Sequence, residues 1–350
     1  MGPISVWPIE PELWANAGRI FLQAEKNRWL DKGVDVGGTQ TSIGVEYLRL
    51  LTFHAASMDR LKTGEIELAE QLLSHFLPGF SLTRQIRPEN VYWIDAGKPL
   101  PPTRLAKLPE VTPTLRFFST ANALSAIETI RSDMAATQQI PPQLGLDPSF
   151  DVAEVVAVLQ HLSIFCAPQP PMRSHTRHQV KSWTKAVDGL RPIMDAIRGS
   201  EFACGTWEVE DVSHGGVRAQ VVLEANEGIG VGTLVAMCPD GGDNWLIGVV
   251  RRFSRGSHTK GSLGIETLSR ASRVVDFDNG CEGLLMDQSL QPGGAAVIVL
   301  LPDDWQGIHQ SGRLATLDLD GEKFRLRPLE MQQSGNGYVF GRFWVDQVGV

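Results

Sequence analysis

Two short polar motifs hold the residues of this chain that are best suited to chemistry. Arg173 and Arg177 are followed further along by Asp211, Ser213 and Gly216 in the pattern Asp-x-Ser-x-x-Gly. A guanidinium can donate paired hydrogen bonds to a phosphate or to the O6 and N7 acceptors of guanine. A carboxylate accepts from the N–H donors of a base, a hydroxyl can donate or accept, and glycine permits close approach to the backbone. The motifs together predict a site that holds a guanine nucleotide by its base edges and its phosphates.

The charge around the two arginines is positive, although the whole chain is acidic. The formal net charge is −8, which argues against a general DNA- or RNA-binding protein because such proteins carry a positive excess. No acidic residue occurs between Glu154 and Asp188, whereas Lys181 and Lys185 lie in that stretch. An anionic ligand would therefore be attracted locally, by this stretch and not by the protein as a whole.

Length and composition are typical of a folded protein with more than one domain. The chain has 350 residues, of which 42% are hydrophobic and 21% charged, so two or three domains are expected. Its four cysteines are too widely spaced for a zinc or redox motif. The sequence shows neither a signal peptide nor an apolar run that would span a bilayer. We expect a cytoplasmic protein without a metal or a cofactor.

Residues 1–166 are predicted to form a mainly α-helical N-terminal domain. Apolar spacing predicts a helical hairpin over residues 46–61 and 65–77. Further helices are expected to begin at Ser119 or Thr120 and at Asp151, which are good capping residues. Short strands are predicted at residues 91–95 and 114–119, and the Gly- and Thr-rich residues 33–44 are predicted to be a linker.

The helical pattern ends at the proline-rich residues 167–171, where we place a domain boundary. A strand is predicted at residues 178–187, and from residue 206 onward about ten β-branched runs follow at regular turn spacing. This spacing is typical of a barrel or sandwich. It predicts an α+β protein with a β-barrel over residues 167–275 and a further β-rich unit over residues 276–350. The two β-units show no convincing similarity in sequence.

The ordered motifs, with the strand-like residues 245–253 and 261–268, resemble the PilZ domain, a small β-barrel receptor for the bacterial second messenger cyclic di-GMP. The resemblance covers about residues 170–275 and implies a six-stranded antiparallel barrel. It further implies that Arg173 and Arg177 grip guanine and phosphate from the segment before the first strand. Asp211, Ser213 and Gly216 would hold a base from the barrel surface.

Two features depart from the family pattern. The connection between Arg177 and Asp211 is longer than the family usually shows, so an insertion around residues 192–204 has to be accommodated. Met172 precedes the first arginine, where many members carry another arginine, and this implies one bound cyclic di-GMP. The basic cluster that starts at Arg251 and Arg252 is predicted to be a solvated hairpin, with a smaller chance that one of the two faces the same pocket.

The preferred hypothesis is a non-enzymatic cyclic di-GMP receptor. Ligand binding at the interdomain linker would alter how the helical domain docks and which protein partner it contacts. By family analogy, the process controlled would be motility, pilus function, biofilm formation or exopolysaccharide production. The alternative is a ligand-independent PilZ-like adaptor in protein–protein interaction, which the insertion would favour if it blocked the pocket. An enzyme is disfavoured because Ser213 and His214, the only neighbouring nucleophile and base, would point to opposite faces of a strand.

Overall fold

The computed structural model describes residues 9–169, 176–200, 203–226, 228–278, 280–286, 290, 296–303, 315–319 and 321–347. The chain divides into two compact units, Met1–Arg173 and Ser174–Val350. An N-terminal helical region and two closed, six-stranded antiparallel barrels confirm the predicted α+β class. Within the described part of the chain, no helix is both long enough and apolar enough to cross a bilayer.

The described residues of the first unit form α-helices and short strands. The helices are α1 (Pro11–Lys26), α2 (Ile43–Ala55), α3 (Thr63–Phe76), α4 (Ala121–Thr137) and α5 (Val152–Cys166). The strands are β1 (Val34–Val36), β2 (Thr39–Thr41), β3 (Ser81–Thr83), β4 (Asn90–Asp95), β5 (Thr103–Arg104) and β6 (Leu115–Ser119). The predicted helical hairpin corresponds to α2 and α3, and the strands predicted at residues 91–95 and 114–119 correspond to β4 and β6.

The main core of the first unit lies between its helices and the sheet β3-β6-β4-β5. Leu72 of α3, Ile127 of α4 and Leu159 of α5 are fully buried and pack in one cluster with Phe118 of β6. The start of α5 is fixed by a capping box, because the carboxylate of Asp151 accepts a hydrogen bond from the backbone N–H of the third helical residue. Thr120 is the N-cap residue of α4, but its side chain makes no capping hydrogen bond and donates instead to the carbonyl oxygen of Cys166. Both helices begin at the predicted residues.

Residues 33–44 differ from the predicted linker, because they contain a small hairpin. Strands β1 and β2 pair antiparallel with Val36 opposite Thr39. Between them Gly37 and Gly38 have φ angles of 61° and 87°, as the two central residues of a type I′ turn require. A Gly-Gly pair between alternating residues is the sequence signal for this turn, and the prediction overlooked it.

The second unit consists of two barrels joined by the chain at residues 269–273. The first barrel contains β7 (His178–Asp188), β8 (Gly205–Ser213), β9 (Gly216–Val222), β10 (Leu234–Pro239), β11 (Leu246–Arg255) and β12 (Lys260–Ser269). The second contains β13 (Arg273–Phe277), β14 (Glu282–Leu285), β15 (Val297–Leu301), β16 (Ala315–Leu319), β17 (Glu322–Gly335) and β18 (Tyr338–Gln347). Domain boundaries at residues 166/167 and 275/276 stay predictions.

Each barrel has its own interior, and a third apolar cluster joins the two. Trp207 and Leu263 are buried inside the first barrel, and Leu326 and Phe343 inside the second. We call the third cluster the barrel seam. Its buried members are Val187, Leu190, Ile193, Met194, Ala196, Leu234, Ala236, Ile247, Val249, Leu284, Met286, Leu300, Tyr338 and Phe340. Both barrels therefore use part of their outer surface to bury each other.

The insertion expected at residues 192–204 contains a short helix, α6 (Leu190–Arg198), between β7 and β8. Gly189 and Gly199 flank it with φ angles of 86° and 75°. Its apolar side lies in the barrel seam, where Ile193 is fully buried. Arg198 donates to Glu282 at 2.7 Å and to Asp276 at 3.0 Å. The insertion thus stabilises the contact between the two barrels.

Candidate functional site

Arg177 and Asp211 lie side by side at the surface of the first barrel. Nη1 of Arg177 lies 2.8 Å from Oδ1 and 2.9 Å from Oδ2 of Asp211. The carboxylate is covered, with 6% of its side chain exposed, whereas 36% of the arginine side chain remains exposed. Among the described residues, Nε and Nη2 of this guanidinium have no acceptor. The site thus combines a carboxylate that already accepts hydrogen bonds from Arg177 with guanidinium N–H groups of Arg177 that make no hydrogen bond to the described residues.

A β-bulge in β8 gives Asp211 its outward position. Val209 pairs with Ala219 but Asp211 pairs with Arg218, so Glu210 is the extra residue. Cross-strand partners share a face of the sheet, which places the carboxylate of Asp211 on the same outer face as Arg218. Glu210 accepts from Gln220 at 2.6 Å and forms an ion pair with Arg218 at 2.9 Å. This outer face is therefore polar and charged.

Ser213 and Gly216 enclose the two-residue turn between β8 and β9. They are opposite each other in the ladder, and the Ser213 hydroxyl donates to the carbonyl oxygen of Gly216 at 3.2 Å. A Cβ added at Gly216 would lie 2.4 Å from the carbonyl oxygen of Ile265 on β12. Glycine is therefore needed here for the close approach of β9 and β12.

The remaining predicted residues lie partly outside the described structure. Arg173 and Met172 fall in residues 170–175, which are not described. Arg251 forms an ion pair with Glu266 at 2.6 Å. The side chain of Arg252 lies beside Gly264, since a Cβ added there would be 3.1 Å from the Cβ of Arg252. Sequence reasoning did not single out Arg218, although its polar position in the alternating strand GVRAQVV indicated an outward side chain.

The helix α6 lies far from Arg177 along β7. Arg177 immediately precedes the first residue of β7, whereas α6 follows its last residues, Asp188 and Gly189. An eleven-residue strand spans roughly 30 Å at the usual rise per residue. The helical part of the insertion is therefore at the end of β7 opposite to the arginine.

The thiols and acidic clusters of the described residues offer little for catalysis. No group of three His, Cys, Asp or Glu side chains is placed to hold a metal ion in the parts of the chain that are described. Burial raises the pKa of the Cys166 thiol to about 12 and also raises the pKa of Cys238, so neither forms a thiolate nucleophile near neutral pH. The Ser213 hydroxyl is bound to the Gly216 carbonyl.

The comparison with known families concerns the other end of the chain. Residues 7–88 match a family model described as the N-terminal domain of the cyclic-di-GMP receptor FimW. None of the curated proteins matches the chain. The matched residues include the helices α1, α2 and α3 and precede the barrels entirely. This part of the chain is thus similar to the N-terminal domain of a cyclic-di-GMP receptor.

Proposed function

We propose that this protein is a non-enzymatic, cytoplasmic receptor for cyclic di-GMP. The observation that carries the proposal is the match of residues 7–88 to the N-terminal domain of a cyclic-di-GMP receptor. It is supported by a six-stranded antiparallel barrel that presents Arg177 and Asp211 together at its surface. The two observations come from different parts of the chain and indicate the same ligand.

In the proposed site, the arginines and the Asp-x-Ser-x-x-Gly turn bind complementary edges of the ligand. Arg173 and Arg177 donate to phosphate oxygens or to guanine O6 and N7, while Asp211 accepts from guanine N1 and N2. Ser213 and Gly216 hold the base against the turn. The ion pair with Asp211 already orients Arg177, which lowers the side-chain entropy lost on binding. We propose one ligand molecule per chain.

The proposed output is a change in contacts between domains. Arg173 is the last residue of the first compact unit, and Arg177 belongs to the second. A ligand held by both arginines would restrict the three residues between them and so shift the docking of the helical domain. The consequence would be a new contact with a partner protein that controls motility, pilus function, biofilm formation or exopolysaccharide production.

The second candidate is a ligand-independent adaptor. In its favour, Asp211 and Arg177 already satisfy each other, with the carboxylate buried beneath the guanidinium. If Asp211 has to release Arg177 before it can accept hydrogen bonds from guanine, the loss of the charged hydrogen bonds between Asp211 and Arg177 makes the free energy of ligand binding less favourable. In that case the barrel would bind its partner protein without a nucleotide.

Calorimetric titration of the full chain with cyclic di-GMP distinguishes the two candidates. We expect one-to-one binding, and at least a 100-fold weaker affinity for the double variant Arg173→Ala, Arg177→Ala, because each charged hydrogen bond is worth about 1.5–3 kcal/mol. Arg327→Ala is the control, since Arg327 pairs with Asp346 in the second barrel. No binding by the native chain, or equal binding by the double variant, would exclude the receptor proposal.

A further inference from the structure

Trp183 is an aromatic residue that the first barrel does not need for its core. Its side chain is 55% exposed, while Trp207 in the neighbouring strand is 1% exposed and fills the barrel interior. In the described residues of β7 to β12, Val222 is the other large hydrophobic side chain with comparable exposure. An exposed tryptophan ring on a β-strand offers a large, flat apolar surface that a ligand can contact.

Basic residues lie two positions before and two positions after Trp183. Lys181 and Lys185 lie on the same strand and are exposed, the former with 87% of its side chain in solvent. The nearest acidic group across the ladder is Glu208, which pairs with Trp183 in the register and lies 3.8 Å from Nζ of Lys181. An exposed aromatic ring flanked by cations is the combination that binds nucleotides by base stacking and phosphate attraction.

Trp183 shares the outer face of the barrel with the candidate site. It is opposite Glu208, and Gln179 is opposite Asp211 in the same pair of strands. Asp211 is three positions after Glu208 on β8, a distance of roughly 10 Å along the strand. A cyclic dinucleotide carries two purines on one ring of sugars and phosphates. When one base is held at Asp211, the other is free to reach along β7.

We propose that Trp183 is a stacking platform for a purine base of the bound cyclic dinucleotide, with Lys181 and Lys185 beside its phosphates. This inference rests on the proposed function and adds a binding residue to the arginines and the Asp-x-Ser-x-x-Gly turn. Stacking is tolerant of base identity because every base has a π face. Trp183 therefore contributes affinity, and the hydrogen-bonding residues select guanine.

The test compares cyclic di-GMP binding by the native full-length chain with binding by Trp183→Ala and Trp183→Phe. Alanine should weaken the affinity about 5- to 150-fold, the loss typical of a removed stacking ring, and phenylalanine should retain most of it. Trp29→Ala is the matched control, because Trp29 is 52% exposed and lies in the first unit. Ligand-induced quenching of tryptophan fluorescence should be smaller in Trp183→Phe than in the native chain.

The possible outcomes separate this proposal from the one on which it rests. If the native chain binds and Trp183→Ala binds equally well, Trp183 is not a platform and the receptor assignment stands. If the native chain does not bind cyclic di-GMP, both proposals fail. A loss in Trp29→Ala equal to that in Trp183→Ala would also overturn the stacking proposal, since it would show a general effect of removing an exposed tryptophan.

Discussion

The two barrels close in the same strand order but use the corresponding outer face in opposite ways. Numbered along the chain, the six strands of each barrel follow the cyclic order first, second, third, sixth, fifth, fourth. In the first barrel, the outward side chains of the second, third and sixth strands include the polar residues Asp211, Arg218 and Ser262. In the second barrel, the same three strands present apolar side chains outward, and Leu284, Leu300, Tyr338 and Phe340 belong to its side of the barrel seam.

This difference shows how one topology can keep polar groups on a face of one barrel and bury the corresponding face of the other. The first barrel contributes to the seam from a different side, chiefly through β10 and β11, whose outward residues include Leu234, Ala236, Ile247 and Val249. Because β10 and β11 bury their apolar outer side chains against the second barrel, the outer face of β7, β8, β9 and β12 need not be apolar. It remains available for charged groups and, on our proposal, for a nucleotide.

The largest effect is expected from shortening an apolar side chain in the seam. Leu300 on β15 is fully buried, and a leucine-to-alanine change at such a site costs about 2–5 kcal/mol of unfolding free energy. Gln220→Ala, on the corresponding strand β9, should change the unfolding free energy by less than about 1 kcal/mol. Chemical denaturation measures both. Similar losses in the two variants would contradict the opposite use of the two faces.

A smaller loss is expected where the first barrel requires a glycine. In Gly216→Ala the new Cβ would lie 2.4 Å from the Ile265 carbonyl oxygen, so β9 must shift away from β12 at a cost of about 1–3 kcal/mol. Gly228→Ala is the matched control, because a Cβ there meets nothing within 4 Å. The corresponding strand of the second barrel begins with Val297, so the requirement for glycine at this position belongs to the barrel that carries the candidate site. If Gly216→Ala and Gly228→Ala were equally stable, the close approach at Gly216 would not distinguish the two barrels.

Much of the fold was predictable because local patterns determine it. The strands of the first barrel alternate, as in GVRAQVV, and predicted one buried and one solvent face. The run VIVLL of β15 is apolar throughout, as expected of a strand buried on both faces. The apolar residues at positions 190, 193, 194 and 197 follow the three- and four-residue spacing of an α-helix, and they lie in α6. The partner of each buried face could not be predicted, because the residues of the two barrels that meet in the seam are about 35 to 150 positions apart. Contacts between such distant residues leave no local pattern in the sequence.

The site was predictable in its residue types but not in its pairing. Asp, Ser and Gly around a turn, and an arginine before a strand, were recognised from sequence. The ion pair between Arg177 and Asp211 depends on the bulge at Glu210, which changes the side of the sheet on which Asp211 lies. No rule of alternation anticipates a bulge. Trp183 lies in a predicted strand. Its exposure could not be predicted, because it depends on which face of that strand the rest of the barrel leaves uncovered.

The smallest effect is expected from a hydrogen bond between uncharged groups at the seam. The Tyr338 hydroxyl donates to the carbonyl oxygen of Gly232 in the first barrel at 2.9 Å, and burial raises its pKa to about 12, so it stays a donor at neutral pH. Tyr338→Phe should therefore cost about 1 kcal/mol of unfolding free energy. Tyr47→Phe is the control, since the Tyr47 hydroxyl is buried without a partner among the described residues and its removal should be neutral or stabilising. If denaturation shows both variants to be equally stable, this hydrogen bond adds nothing measurable to the apolar burial and the Arg198 ion pairs between the barrels.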